Sequence, residues 1–263
     1  MAENASFAYL QARLQARHGD RPSSHDWRLA EASADLSHFL DALRRTTLKH
    51  WVAEINHEMS AEAIERQFRQ SWRETVEQVA GWAPEQWRPA VEWLRWLPDL
   101  PALEHLVQGG KLAPWMRDDP ILRDLAFDDP NRRRDALEHH PLGVLARPDH
   151  VQAPGQTQVG TLWVQVFLSL LPGTESGGQG EIDHLVSIVR EHLETMRGSA
   201  DADGRTLRNQ LLEKLTRQFR RGAGTATALF SHLALDGLEL ERVRAGVITR
   251  HLMPQRAEGR SWA

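Results

Sequence analysis

The stretch Val159–Phe167, VGTLWVQVF, decides the fold class, because no other segment of the chain alternates cleanly over six residues. Its β-branched content suits a strand, yet an apolar run of this length also suits a buried helix. The flanking sequence settles the choice. On either side apolar residues recur at three- and four-residue steps, the period of one helical face. A lone strand among helices has no partner for its backbone groups, so a helix is expected here and an all-α fold overall. Before it, Ser60 with Ala63 and Ile64 opens a helix that carries Ile64, Phe68, Trp72, Val76 and Val79. After it, Leu207, Leu211, Leu215 and Phe219 form one apolar stripe, and a last helix is expected over roughly 226–252.

Further out, residues 24–45 read as one helix capped by Ser24, with Trp27, Leu36, Phe39, Leu40 and Leu43 on its stripe. Pro84 starts a short helix bearing Trp87 and Val91. Gly109-Gly110 ends another, and residues 112–135, rich in Asp, Pro and Arg, read as turns with short helices. Residues 147–158 and 173–180 (GTESGGQG) read as loops, the second as the most flexible stretch, and GSADADG (198–204) as a break between two long helices. The expected organisation is one all-helical domain of three units, roughly 1–112, 113–198 and 199–263.

The composition narrows the function classes. Of 263 residues, 32 are Lys or Arg and 36 Asp or Glu, a formal net charge of -4, so the basic surplus usual in nucleic-acid binding is missing. The chain has no cysteine, which excludes disulfides, thiolate metal sites and thiol nucleophiles. The opening MAENASFAYLQARLQARHG lacks the order of a secretory signal, and the apolar run Leu162–Leu171 is far short of the ~20 residues that span a bilayer. A cytoplasmic protein with no direct membrane span is expected. Ten Trp against one Tyr is unusual.

A pattern recurs three times. Asp99-Leu100 precedes Leu103 and Val107, Glu181-Ile182 precedes Leu185 and Val189, and Glu239-Leu240 precedes Val243 and Val247. An acid ahead of an apolar stripe marks a helix start, where the carboxylate meets the positive end of the dipole. In the last of these, LFSHLALDGLELERVRAGVITR (Leu229–Arg250), Glu239, Leu240, Val243, Arg244, Val247 and Arg250 resemble the closing motif of the V-type ATPase C-type (also called d-type) connector family. The opening YLQARLQAR, with Tyr9, Ala12 and Arg13, is similar to that family's first helix. Leu94–Lys111 and Glu181–Arg190 stand where its internal copies would be. The chain is shorter than the family's usual length, and its copies are unevenly spaced. The resemblance implies a three-fold pseudo-symmetric helical funnel without a catalytic centre or cofactor. Such a connector sits at the cytoplasmic face of the inner membrane, where it couples a central axle to an ion- or proton-translocating ring. Its partners are the protein subunits of that complex.

Several residue clusters invite a chemical reading. Glu54-x-x-His57 and Glu181-x-x-His184 have the i, i+3 spacing of di-iron carboxylate bundles, with Glu77, Glu92 or Glu213 as further ligands, and this metalloenzyme is the alternative function. A helical adaptor unrelated to rotary ATPases is another. Glu138-His139-His140 with His150 reads as a solvated helix end, and Asp201-x-Asp203-Gly204 as a cap, since Leu212 stands where a calcium loop needs Glu. For contact with partners the candidates are Trp82, Trp93, Trp96, Trp115 and the basic run Arg132, Arg133, Arg134; core packing is the other reading of Trp93 and Trp96, and a solvated helix face that of the arginines. Arg217–Arg221 is a second basic cluster.

Overall fold

The computed structural model describes residues 2–146, 159–173, 178–198 and 204–253. Among these residues every regular element is helical. The helices are α1 (Ala2–Gly19), α2 (Ser24–Glu31), α3 (Leu36–Arg44), α4 (Lys49–Val52), α5 (Ala61–Trp82), α6 (Arg88–Trp93), α7 (Leu100–Val107), α8 (Pro114–Asp118), α9 (Pro130–His139), α10 (Val159–Ser169), α11 (Gly178–Gly198), α12 (Gly204–Arg221) and α13 (Ala226–Leu252). VGTLWVQVF is helical, as α10, with Leu162, Trp163 and Phe167 buried on one side.

Contacts divide the chain into two compact units, residues 1–91 with 172–263, and residues 92–171. These boundaries differ from the three stretches expected along the chain. Ala102, His184 and Arg242 hold equivalent places in the three acid-led windows, and in each window the apolar residues that follow turn inward: Leu103, Leu185 and Val243 are all buried.

The first unit is organised around α13, which packs against α1, α3, α5, α11 and α12. At 27 residues it is about 40 Å long. Leu229, Leu233, Leu235, Leu240, Val243 and Val247 are buried along it. Small residues let neighbours come close. A Cβ on Gly246 would lie 2.5 Å from Cζ of Phe39, so this glycine lets α3 lay its ring on the helix backbone. The turn into α13 is fixed by Gly224, at φ +81, and by Thr225, whose hydroxyl caps the helix by accepting from the Thr227 N–H.

Two sequence expectations change in this unit. Residues 24–45 form two helices rather than one. Ser23, not Ser24, caps the first, in a capping box with Asp26, and Asp35 caps the second by accepting from the His38 N–H. Each Asp offers the backbone a side-chain acceptor that competes with helix continuation and favours a helix start. Glu239 is also not at a helix start: it lies in the middle of the unbroken α13, while Asp99 is the residue before α7 and Glu181 stands in the first turn of α11.

The second unit is built from short helices around an aromatic and leucine core. Trp93 donates its indole N–H to the Trp163 carbonyl at 3.1 Å, and Trp163 and Phe167 stack at 5.9 Å. Leu103, Leu122, Leu125, Leu142 and Leu145 fill the rest.

Candidate functional site

His232, Asp236 and Glu239 stand at i, i+4 and i+7 of α13, which aligns them on one face of the helix. Facing them is the turn after α1, which carries Arg21. Its guanidinium pairs with Asp236 Oδ1 and, at 2.5 Å, with Glu239 Oε1, and a further N–H reaches the His232 carbonyl at 3.4 Å. One cation therefore bridges two carboxylates and ties residue 21 to a helix more than 200 positions away. The side chains of Arg21, Asp236 and Glu239 are 14%, 9% and 13% exposed, so the cluster is largely withdrawn from water.

Its polar accounting is incomplete. His232 is buried, and its Nε2 lies 3.3 Å from Asp236 Oδ2, within ion-pair range but out of alignment. Neither of its ring nitrogens has a hydrogen-bond partner among the described residues, and the same holds for Arg21 Nε and His18 Nδ1. The His18 ring stacks on Phe219 of α12 at 4.3 Å. Concentrating unsatisfied groups at one place is costly, and it is uncommon in a region with no role.

Electrostatics follow from this geometry. Burial pushes the Asp236 carboxyl up, against the pull of Arg21, Arg17 and His50. Burial raises Glu239 to about 7, opposed by Arg21 and reinforced by the neighbouring Asp236. Burial holds His232 well below its ordinary 6.5, helped by Arg21, Arg17 and His18, so its imidazole is neutral. His18 is lowered by burial and by Arg21 and Arg220. With one guanidinium for two carboxylates, the buried group is neutral when the Asp236–Glu239 pair retains one proton between them, and burial raises both carboxyls in that direction.

Beside this cluster a cleft of about 410 Å³ is lined by Arg17, His50 and, from α5, Ser71, Glu74, Thr75, Glu77 and Gln78. Arg17 bonds Gln78 Oε1 and lies 4.9 Å from the centre of the Trp82 ring. His50 Nδ1 meets the Thr47 carbonyl at 2.7 Å, which fixes that nitrogen as the donor.

The residues proposed from sequence fall in several environments. Trp82 is half-buried at the end of α5 beneath Arg13 and Arg17. Trp93 belongs to the core of the second unit, which corrects its reading as a contact surface. Trp96 is half-buried with its ring edge-on to His140, and Trp115 is half-buried in α8. Arg133 is likewise an interior group: it donates to the carbonyls of Leu106, Gly110 and Phe127 and so caps the end of α7. Arg132 and Arg134 point outward on α9, Arg132 over Phe127.

The metal alternative loses its geometry. Glu54 and His57 lie in the turn between α4 and α5, so the i, i+3 helical pairing is not formed, and both are exposed. Glu181 accepts from the Thr227 hydroxyl at 2.8 Å, and His184 is exposed. Among the described residues no three His, Asp or Glu side chains gather in a metal-binding arrangement. His150, Asp201 and Asp203 lie outside the described residues.

No protein-family model, curated protein or solved structure matches the chain. No helix among the described residues is long and apolar enough to cross a membrane. The cluster is absent from the sequence-based candidates, although a signal for it exists. In ALFSHLALDGLELE three polar residues interrupt an apolar run at one helical register, and of these only Glu239 stands out, as part of the recurring motif. Nothing in the sequence marks Arg21 as their partner.

Proposed function

We propose that the chain is a non-catalytic connector similar to the C-type connectors of V-type ATPases. In this role it couples a cytoplasmic complex or axle to a membrane ion-translocating ring and stands at the inner membrane by association. One observation carries the proposal. Residues of the closing motif, together with Asp236 beside them and Arg242 between them, join α13 to the N-terminal segment. Glu239 pairs with Arg21, Arg244 pairs with Glu65 of α5 at 2.8 Å, and Arg250 donates to the carbonyls of Ser33 and Glu31. Leu240, Val243 and Val247 are buried between them. The motif thus serves rigidity, as a body that transmits force requires, rather than presenting groups to a substrate.

The opening motif supports the same role. Leu10 and Leu14 are buried, while Tyr9 is 51% exposed, with Arg13 5.4 Å from the centre of its ring. Tyr9 with Trp82 and its two arginines offers an aromatic and cationic surface of the kind enriched at protein interfaces. The chain carrying an affinity tag, purified from membranes of its source cell, tests the proposal. Rotary-ATPase subunits recovered in near-equal amounts are expected. Recovery of the tagged chain without any of them refutes it.

A further inference from the structure

Charge is unevenly distributed over this protein. Helix α12 holds six Lys or Arg residues and one Glu, Glu213, a balance of +5. The whole chain is at -4, so everything outside α12 sums to -9, the difference of the two. The inward face of α12 is its apolar stripe of Leu211, Leu215 and Phe219. The outward face carries Lys214, Arg217 and Arg221, steps of three and four along one line about 10 Å long, with Arg220 beside them. All four are exposed. Lys214 reaches Glu191 of α11 at 3.4 Å. Arg217, Arg220 and Arg221 have no carboxylate within ion-pair distance among the described residues.

We infer that this row on α12 is a docking surface for an acidic helix of a protein partner. Three features select that occupant. The row is mostly arginine, whose planar fork takes carboxylates two bonds at a time. Its spacing is that of a helix, so a partner helix with carboxylates at i, i+3 and i+7 meets each cation in turn. Its borders are acidic: Glu213 on α12 itself, and Glu191 and Glu194 on α11, are all exposed. A broad anionic plane such as a bilayer would press on both signs, whereas a narrow acidic helix meets only the basic row. Arg220 and Arg221 also suit the negative end of their own helix, which explains their tolerance there but not the continuation to Arg217 and Lys214. The surface is independent of the connector role, because its charges recruit an acidic helix in either case.

The test uses the full chain and a helical peptide with glutamates at i, i+3 and i+7. Binding is followed by fluorescence anisotropy from about 50 mM to about 300 mM salt, a range over which screening of exposed charges strengthens severalfold. The wild-type chain binds the peptide, and binding weakens with salt. The R217E/R221E variant loses about tenfold or more in affinity, since two attractions become repulsions. The R132E/R134E variant changes net charge equally on α9 and stays within about twofold. Equal losses in the two variants overturn the inference, as does the absence of salt-sensitive binding by the wild type. Capture by phosphatidylglycerol vesicles without peptide binding overturns it in favour of a lipid surface. A dimer that R217E/R221E dissociates overturns it in favour of a second copy.

Discussion

Replacing Glu239 with Gln isolates the energetics of the buried cluster. The carboxyl moves from 4.5 when exposed to about 7 in the folded chain, so the folded protein holds a proton that the unfolded chain releases. The protonated form is neutral and already compatible with Arg21. Below the unfolded value both states are protonated and the group is silent. As pH rises toward the folded value, ionisation favours unfolding, and above about 7 the penalty is complete. At ~1.4 kcal/mol per pH unit of displacement, this amounts to about 3 kcal/mol. Glutamine keeps an oxygen that accepts from Arg21 and carries no charge at any pH. E239Q is therefore expected to match the wild type near pH 4.5 and to exceed it by about 3 kcal/mol at pH 8. Hydrogen exchange of peptides from 226–252, read by mass spectrometry, gives the opening free energy, and intrinsic exchange rates cancel between the two proteins at equal pH. A difference that does not change with pH, or an E239Q chain that opens more readily at pH 8, refutes the reasoning.

Other expectations follow from single contacts. His232, held neutral by burial, acts in the opposite sense to Glu239: its unfolded imidazole gains a proton as pH falls through 6.5 and the folded one resists, so stability is lost toward acid. His232→Leu removes that loss and breaks no side-chain hydrogen bond, so its advantage over the wild type, measured by urea denaturation, grows from pH 8 to pH 5. Gly246→Ala drives a methyl into the Phe39 ring and is expected to cost about 1–3 kcal/mol, whereas Gly81→Ala, with nothing within 4 Å, gains up to about 1 kcal/mol; thermal melts compare them. Arg133→Ala leaves the end of α7 uncapped at a cost of about 2–4 kcal/mol, while Arg134→Ala on the exposed side of α9 changes stability by less than about 0.5 kcal/mol; urea denaturation of the two variants checks the contrast.

Local chemistry is the legible part of this sequence. Ser60 is the cap of α5, the Val159–Phe167 stretch is helical, and α13 runs from 226 to 252, because caps and period act within a few residues. The break at Asp35 is hidden by apolar residues that keep helical register on both sides of it. For Trp93 the sequence leaves core and contact surface both open, and it reads Arg133 as part of an outward basic run, because residue type alone does not say which face a short helix buries. Burial of Arg133 depends on the carbonyls at the end of α7, Leu106 and Gly110, which are distant in sequence. The Arg21 clasp depends on a still longer closure, from the α1–α2 turn to α13, and no local pattern encodes it.

The connector role is tested most directly by energy coupling in membranes. Inverted vesicles from cells lacking the gene are compared with vesicles from cells carrying it, for ATP hydrolysis and for ATP-driven ion uptake. A coupling role predicts that hydrolysis continues in the deletion while uptake falls to background, and that uptake returns with the wild-type gene. Unchanged uptake in the deletion contradicts the role.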